Sequence, residues 1–207
     1  MTIGLLGSPG SGKTYLASMF EKKLGAKIVY EREFDFPDEI FKNLQSGKHL
    51  FETIVWFRNK QLADHKKIQE LAREHALVVT DSTLYQYQMY VDLFISDSFC
   101  RGILSEMGLE DARSNQALDV YVYLSASRSI ILDFLKRKDP TWPLYSDITF
   151  EFLSQMAEVT DAYVEQKRNQ LPNLIEIRHE EFDFSSERDF CRLWELIQLQ
   201  AAAKSMV

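Results

Sequence analysis

The octapeptide Gly7-Ser8-Pro9-Gly10-Ser11-Gly12-Lys13-Thr14 fits the pattern G-x-x-x-x-G-K-S/T at every defined position. Its flanks are those the motif requires. Thr2 to Leu6 before it reads as a short buried strand, and Lys13 to Leu24 after it as an amphipathic helix with Leu16, Met19, Phe20 and Leu24 on one face. Glycines let such a loop fold closely enough for successive N–H groups to converge on phosphate oxygens, and the helix N-terminus adds partial positive charge. Lys13 is then expected to reach the β- and γ-phosphates, and Thr14 to offer its hydroxyl to Mg²⁺. The stretch implies ATP or GTP bound with magnesium; the competing reading is a glycine turn that binds nothing.

Outward from this loop, apolar runs alternate with helical patterns. Lys27 to Tyr30, Leu77 to Thr80, Val120 to Leu124 and Leu174 to Ile177 read as further strands. Helices are expected near Pro37 between Phe34 and Leu44, then at Phe51 to Glu74, Ser129 to Lys138, Phe150 to Asn169 and Glu187 to Gln200. Strands apolar on both faces and separated by helices predict an α/β, three-layer architecture: a parallel five-stranded sheet with helices on both faces. No Pro/Gly/Ser-rich linker interrupts the chain, so residues 1–207 read as one domain with a helical insertion at about 82–118.

Composition narrows the function. The 207 residues carry 31 acidic and 24 basic side chains, a net charge of −7, which disfavours nucleic acid as the principal partner. Cys100 and Cys191 form neither a disulfide framework nor a CxxC site and read as reduced core thiols. The N-terminus has no basic region followed by a cleavage site, and no apolar run approaches the roughly 18–20 residues of a membrane helix. A soluble, cytoplasmic protein without a membrane partner is expected. His49, His65, His75 and His179 lack zinc-ligand spacing and read as surface residues, and no G-x-S-x-G stands in a hydrolase context.

Ligands of open parallel sheets bind beyond the carboxyl ends of the strands, which draws attention to Glu31 after the second strand and Asp81 after the third. One is expected to hold magnesium or its waters, and the other to take a proton from an attacking hydroxyl. Glu31 is the expected base and Asp81, with Thr14, the metal side. The competing reading is that either acid caps a following helix. Lys136-Arg137-Lys138 is the expected phosphate clamp, within a basic lid at about 136–146, although basic residues in a last helical turn also answer the helix dipole. Arg128 is a weaker clamp. Arg32 and Arg58 are candidates for contact with the acceptor. Phe51, Trp56, Phe57, Tyr85, Tyr87 and Tyr90 suit either base stacking or the core.

The order of these features resembles the deoxynucleoside kinase family, within the P-loop nucleoside and nucleotide kinases that include thymidylate kinases. The features are the P-loop, Tyr30-Glu31, the long helix, Asp81-Ser82-Thr83, Val120 to Leu124 and a basic helix end. Toward the C-terminus, Phe152-Leu153, Tyr163, Pro172 to Ile177 and Asp183-Phe184 extend the likeness over nearly the whole chain. The resemblance implies a P-loop kinase fold, with ATP and Mg²⁺ as cofactors and a nucleoside or nucleotide as small-molecule substrate. It implies Glu31 as the acid that activates the sugar 5′-hydroxyl and Lys136 to Lys138 as the lid. The family's base-reading glutamine falls at Ile54, with Gln61 two turns on, and Tyr85 joins Arg32, Arg58 and Gln61 as the implied acceptor contacts. A dimer contact is common in the family, so a homodimer stays open. The chain departs from the family's Glu-Pro-Val at Glu31-Arg32-Glu33, and from its Asp/Glu-Arg-Ser at Asp81-Ser82-Thr83, where a phosphate-contacting arginine is missing. A nucleoside monophosphate kinase, a nicotinamide riboside kinase or a nucleotide switch without turnover are the alternatives.

Overall fold

The computed structural model describes residues 1–31, 36–137, 150–171 and 173–204. The elements run β1 (Thr2–Leu6), α1 (Lys13–Leu24), β2 (Lys27–Val29), α2 (Asp38–Ser46), α3 (Leu50–Leu71) and β3 (Val78–Thr80). Then follow α4 (Gln86–Met89), α5 (Val91–Phe94), α6 (Ser98–Ser114), β4 (Val120–Ser125), α7 (Arg128–Arg137), α8 (Phe150–Lys167), β5 (Leu174–Arg178) and α9 (Glu187–Lys204). All ladders are parallel and the strand order is β2-β3-β1-β4-β5, which sets β1 at the centre with Ile3 opposite both Val79 and Val120. The expected five-stranded parallel sheet is therefore present.

Alternation along the strands builds two cores. Ile3 and Leu5 of β1 and Val120, Val122 and Leu124 of β4 face α1 and α9, where Leu16, Phe20, Phe190, Leu193 and Ile197 cover them. Leu6, Tyr121 and Tyr123 face the other way, onto Ile68 of α3 and Leu153, Met156 and Val164 of α8. Local chemistry bounds the helices: α1 stops at Gly25, in the left-handed region at φ 66°, and α6 starts where the Asp97 carboxylate accepts a hydrogen bond from Cys100 N. No helix among the described residues is long and apolar enough to cross a membrane.

Between β3 and β4, helices α4 to α6 pack a smaller cluster against α3, with Ile54, Tyr87, Val91, Ile95 and Leu104 at its centre. Here two sequence expectations fail. His65 is not a surface residue: it is 4% exposed, its Nε2 lies 2.9 Å from the Gln116 carbonyl, and burial lowers its pKa. The long helix is covered along more of its length than its mixed polarity suggests. The two thiols are not core residues either, for Cys100 is half-buried and Cys191 exposed.

Asp111 of α6 ties this cluster to α3. Its carboxylate, 4% exposed, accepts from Arg58 Nε at 2.7 Å, Arg58 Nη2 at 2.5 Å and the Tyr87 hydroxyl at 2.8 Å. A two-pronged guanidinium contact of this kind holds direction as well as charge. Asp111→Ala leaves Arg58 and Tyr87 without their shared acceptor, and loss of one partner of a buried ion pair costs about 3 kcal/mol. Urea unfolding should show that loss in the midpoint.

Candidate active site

The sheet presents the carboxyl ends of β1, β2 and β3 to one side, and the phosphate loop leaves β1 there. Gly7, Gly10 and Gly12 have φ of 148°, 81° and 85°, a backbone that side chains resist. At Gly7 space is short as well: an added Cβ would lie 2.5 Å from Ser11 Oγ and 2.9 Å from the Leu124 carbonyl oxygen. Gly12 caps α1 without a side chain, and no acid stands in the helix's first turn. The positive end of α1 is thus left for an anion. Lys13 Nζ donates to the Gly7 and Ser8 carbonyls at 2.8 and 2.9 Å, which holds its ammonium against the loop.

The two strand-end acids meet at this loop. Asp81, 3% exposed, accepts from Thr14 Oγ1 through Oδ2 at 2.9 Å and from the Glu31 backbone N–H through Oδ1 at 2.6 Å. It does not cap a following helix; it joins α1 to the end of β2. Glu31 in turn accepts from Ser82 Oγ at 3.2 Å and from Gln86 Nε2 at 3.3 Å. Burial, then the nearby Asp81 charge, push the Glu31 carboxyl from 4.5 up to about 7, against the pull of Lys13. Burial also raises Asp81, opposed by the hydrogen bonds from Glu31 and Thr14. One hydroxyl and one carboxylate 2.9 Å apart beside a phosphate loop suit Mg²⁺, whose remaining ligands are normally water and phosphate oxygens.

A cleft of about 690 Å³ runs along the loop. Lys13, Thr14, Glu31, Asp81 and Gln86 line its polar part; Ile130 and Phe134 of α7, together with His179, Phe182 and Phe184 after β5, line the rest. His179 Nε2 lies 2.6 Å from the Ser11 carbonyl, and its ring meets Phe134 and Phe184 edge-on at centroid distances of 5.2 and 4.9 Å. Burial keeps its pKa low, favouring the neutral ring. Sequence reasoning missed His179, Phe134 and Gln86. For His179 a partial signal was present: it lies two residues past the Leu174 to Ile177 run, close to the position that singled out Glu31 and Asp81, but it was judged on metal-ligand spacing alone.

The acceptor contacts implied by resemblance are placed differently. Ile54 is 2% exposed and packs in the α3 to α6 cluster. Arg58 is engaged by Asp111, and Gln61, 2% exposed, accepts from the Tyr87 N–H at 3.1 Å. Tyr85 packs edge-on against Tyr121 at 5.3 Å. None of these four lines the cleft just described. Of the aromatic set, Trp56 and Phe57 pack with Phe36, and Tyr87 and Tyr90 are buried. Arg32 and Lys138 lie outside the described residues, as does nearly all of the expected lid; Lys136 and Arg137 fall in the last turn of α7.

The family described as "AAA domain" matches residues 2–142, from β1 through the phosphate loop and β4 into the stretch after α7. The chain belongs to this AAA-domain family. Over 70 residues the AAA-domain chain is 34% identical to a protein of Methanosarcina mazei provisionally named adenylate kinase. The match takes in 34% of this chain and 31% of the other, so it spans about a third of that relative's length. Among solved structures, deoxyadenosine kinase from M. mycoides, with dCMP and dCDP bound, superposes with a TM-score of 0.71 at 17% identity over 100% of both chains. Thymidylate kinase from Candida albicans superposes with a TM-score of 0.64 at 14% identity, over 96% of this chain and 91% of that one. The AAA-domain chain therefore has the fold of the P-loop nucleoside and nucleotide kinases.

The raised Glu31 pKa has a stability consequence. Between pH 4.5 and about 7 the folded chain keeps a proton on Glu31 that the unfolded chain has lost. Its contribution to stability is thus full below 4.5 and fades as pH rises through 7. Glu31→Gln, neutral throughout, should melt with the wild type near pH 5 and a few degrees above it at pH 8, as read by calorimetry at both pH values.

Proposed function

We propose that the chain is an ATP-dependent kinase that phosphorylates the 5′-hydroxyl of a nucleoside, in the manner of the deoxynucleoside kinases. The observation that carries the reading is the Glu31 carboxylate, raised to about 7 and held beside the Thr14–Asp81 pair at the mouth of the phosphate loop. A base with a pKa near the working pH combines a useful ionised fraction with real proton affinity. In the proposed step Glu31 takes the proton of the acceptor hydroxyl. The hydroxyl oxygen bonds to the γ-phosphorus of ATP, and the bond from that phosphorus to the β–γ bridging oxygen breaks to release ADP.

Each group of the loop has a part in this. The glycine turn and the α1 N-terminus bind the phosphates, Lys13 carries charge to the β- and γ-groups, and Thr14 and Asp81 hold Mg²⁺. An ion held there would supply positive charge that offsets the phosphate charge in the transfer. His179, Phe134 and Ile130 offer an apolar wall to the nucleotide base. The likeness to a deoxyadenosine kinase supports the nucleoside as acceptor. The partial match to a protein provisionally named adenylate kinase, with the likeness to a thymidylate kinase, favours a second reading in which the acceptor is a nucleoside monophosphate.

A panel separates these readings. The purified chain is incubated with ATP·Mg and, in turn, deoxyribonucleosides, ribonucleosides, their monophosphates and nicotinamide riboside, and ADP and phosphorylated product are measured. A nucleoside 5′-monophosphate as product is expected; a diphosphate favours the second reading, and ADP without an acceptor product points to a switch. Glu31→Gln should lower turnover by about 10²–10⁴-fold with ATP affinity retained, and wild-type kcat/KM for the acceptor should rise with pH through a limb near 7. His179→Ala should weaken ATP binding about fivefold, the worth of roughly one aromatic contact, without altering the pH limb.

A further inference from the structure

Gln86 opens α4 within the cleft and is 8% exposed. Its Nε2 donates to Glu31 Oε2 at 3.3 Å, whereas its Oε1 is buried without a hydrogen-bond partner. The orientation follows from chemistry. In the ionised form that a base must take, the Glu31 carboxylate only accepts, so the amide turns its NH₂ toward it and its oxygen away. A buried acceptor left without a donor is costly and uncommon in native structures. Ser11 Oγ, the other such atom among the described residues, belongs to the phosphate loop, whereas Gln86 lines the cleft beside Glu31, to which its Nε2 is bonded.

We propose that Gln86 Oε1 accepts a hydrogen bond from a second hydroxyl or N–H group of the phosphoryl acceptor, while Gln86 Nε2 keeps the Glu31 carboxylate turned toward the reacting hydroxyl. The inference rests on the kinase reading above and narrows its substrate class. The oxygen and nitrogen of one amide are only about 2.3 Å apart, as the C=O and C–N bond lengths dictate. With Gln86 Nε2 3.3 Å from Glu31 Oε2, Gln86 Oε1 and that Glu31 oxygen stand within about 6 Å of each other, so both donors fit on one nucleoside-sized molecule. A molecule with a single hydroxyl and no other donor leaves Gln86 Oε1 orphaned and is a poor substrate; sites built to bond a polar group reject ligands that lack it.

The test uses Gln86→Leu and Gln86→Glu with the panel member that the wild-type chain phosphorylates, deoxyadenosine being tried first. Gln86→Leu should raise KM for that acceptor about tenfold, with the ATP dissociation constant and melting temperature close to wild type. Gln86→Glu keeps an accepting oxygen but sets a second carboxyl beside Glu31. It should hold KM within about threefold of wild type and move the pH limb of kcat/KM upward by about one unit. An acceptor KM unchanged in Gln86→Leu overturns the inference, as does an equal rise of acceptor KM and ATP dissociation constant in both variants, which marks a merely structural residue. If the wild-type chain phosphorylates no member of the panel, the kinase reading itself falls and takes this inference with it.

Discussion

Everything at the mouth of the phosphate loop is referred to one buried carboxylate. Asp81 accepts from the Thr14 hydroxyl with one oxygen and from the Glu31 N–H with the other, so the first turn of α1 and the end of β2 are registered against the same rigid point on β3. A buried charge is tolerated only when its lone pairs are taken up, and the two partners here come from different elements. Satisfying Asp81 therefore also assembles the site. The orientation of Glu31 follows through Ser82 and Gln86, which reach it from the chain immediately after Asp81.

The same crowding that fixes these groups sets their chemistry. Two carboxyls close together and removed from water resist simultaneous ionisation, and here the strain falls on Glu31. Lys13 acts against it from the loop, yet the Lys13 ammonium also answers the Gly7 and Ser8 carbonyls. On the opposite flank His179 joins the loop at Ser11, so a residue from the end of β5 braces the backbone that the glycines leave pliable. Polar and apolar walls of the cleft are thereby anchored to one loop, from strands at the centre and at the edge of the sheet.

Legibility followed the range of the physics involved. β1, the loop and α1 could be read directly, because a strand, a phosphate turn and a helix start are determined by neighbours in sequence. Glu31 and Asp81 were legible through a rule of topology: in a parallel sheet the end of a strand is an address. His179 obeyed that rule too and was overlooked because it was weighed as a metal ligand. The surroundings of Ile54 and Arg58 were illegible for a different reason. Their environment is made by α6, and no periodicity within α3 announces that Asp111, 53 residues beyond Arg58, will claim its guanidinium. Gln86 was illegible in the same way, since its partner Glu31 is 55 residues upstream.

The central place of β1 also bears on how the chain is made. β1 leaves the ribosome before either of the strands it pairs with, and those partners are residues 78–80 and 120–123. At translation speeds of about 5–20 residues per second, β1 waits on the order of ten seconds for its second neighbour. Until β4 arrives, the Leu124 carbonyl that crowds Gly7 is missing, and so is one wall of the loop. Nucleotide binding is in this sense a late event in the life of a nascent chain, and an apolar strand left unpaired for that interval is a natural client for a chaperone.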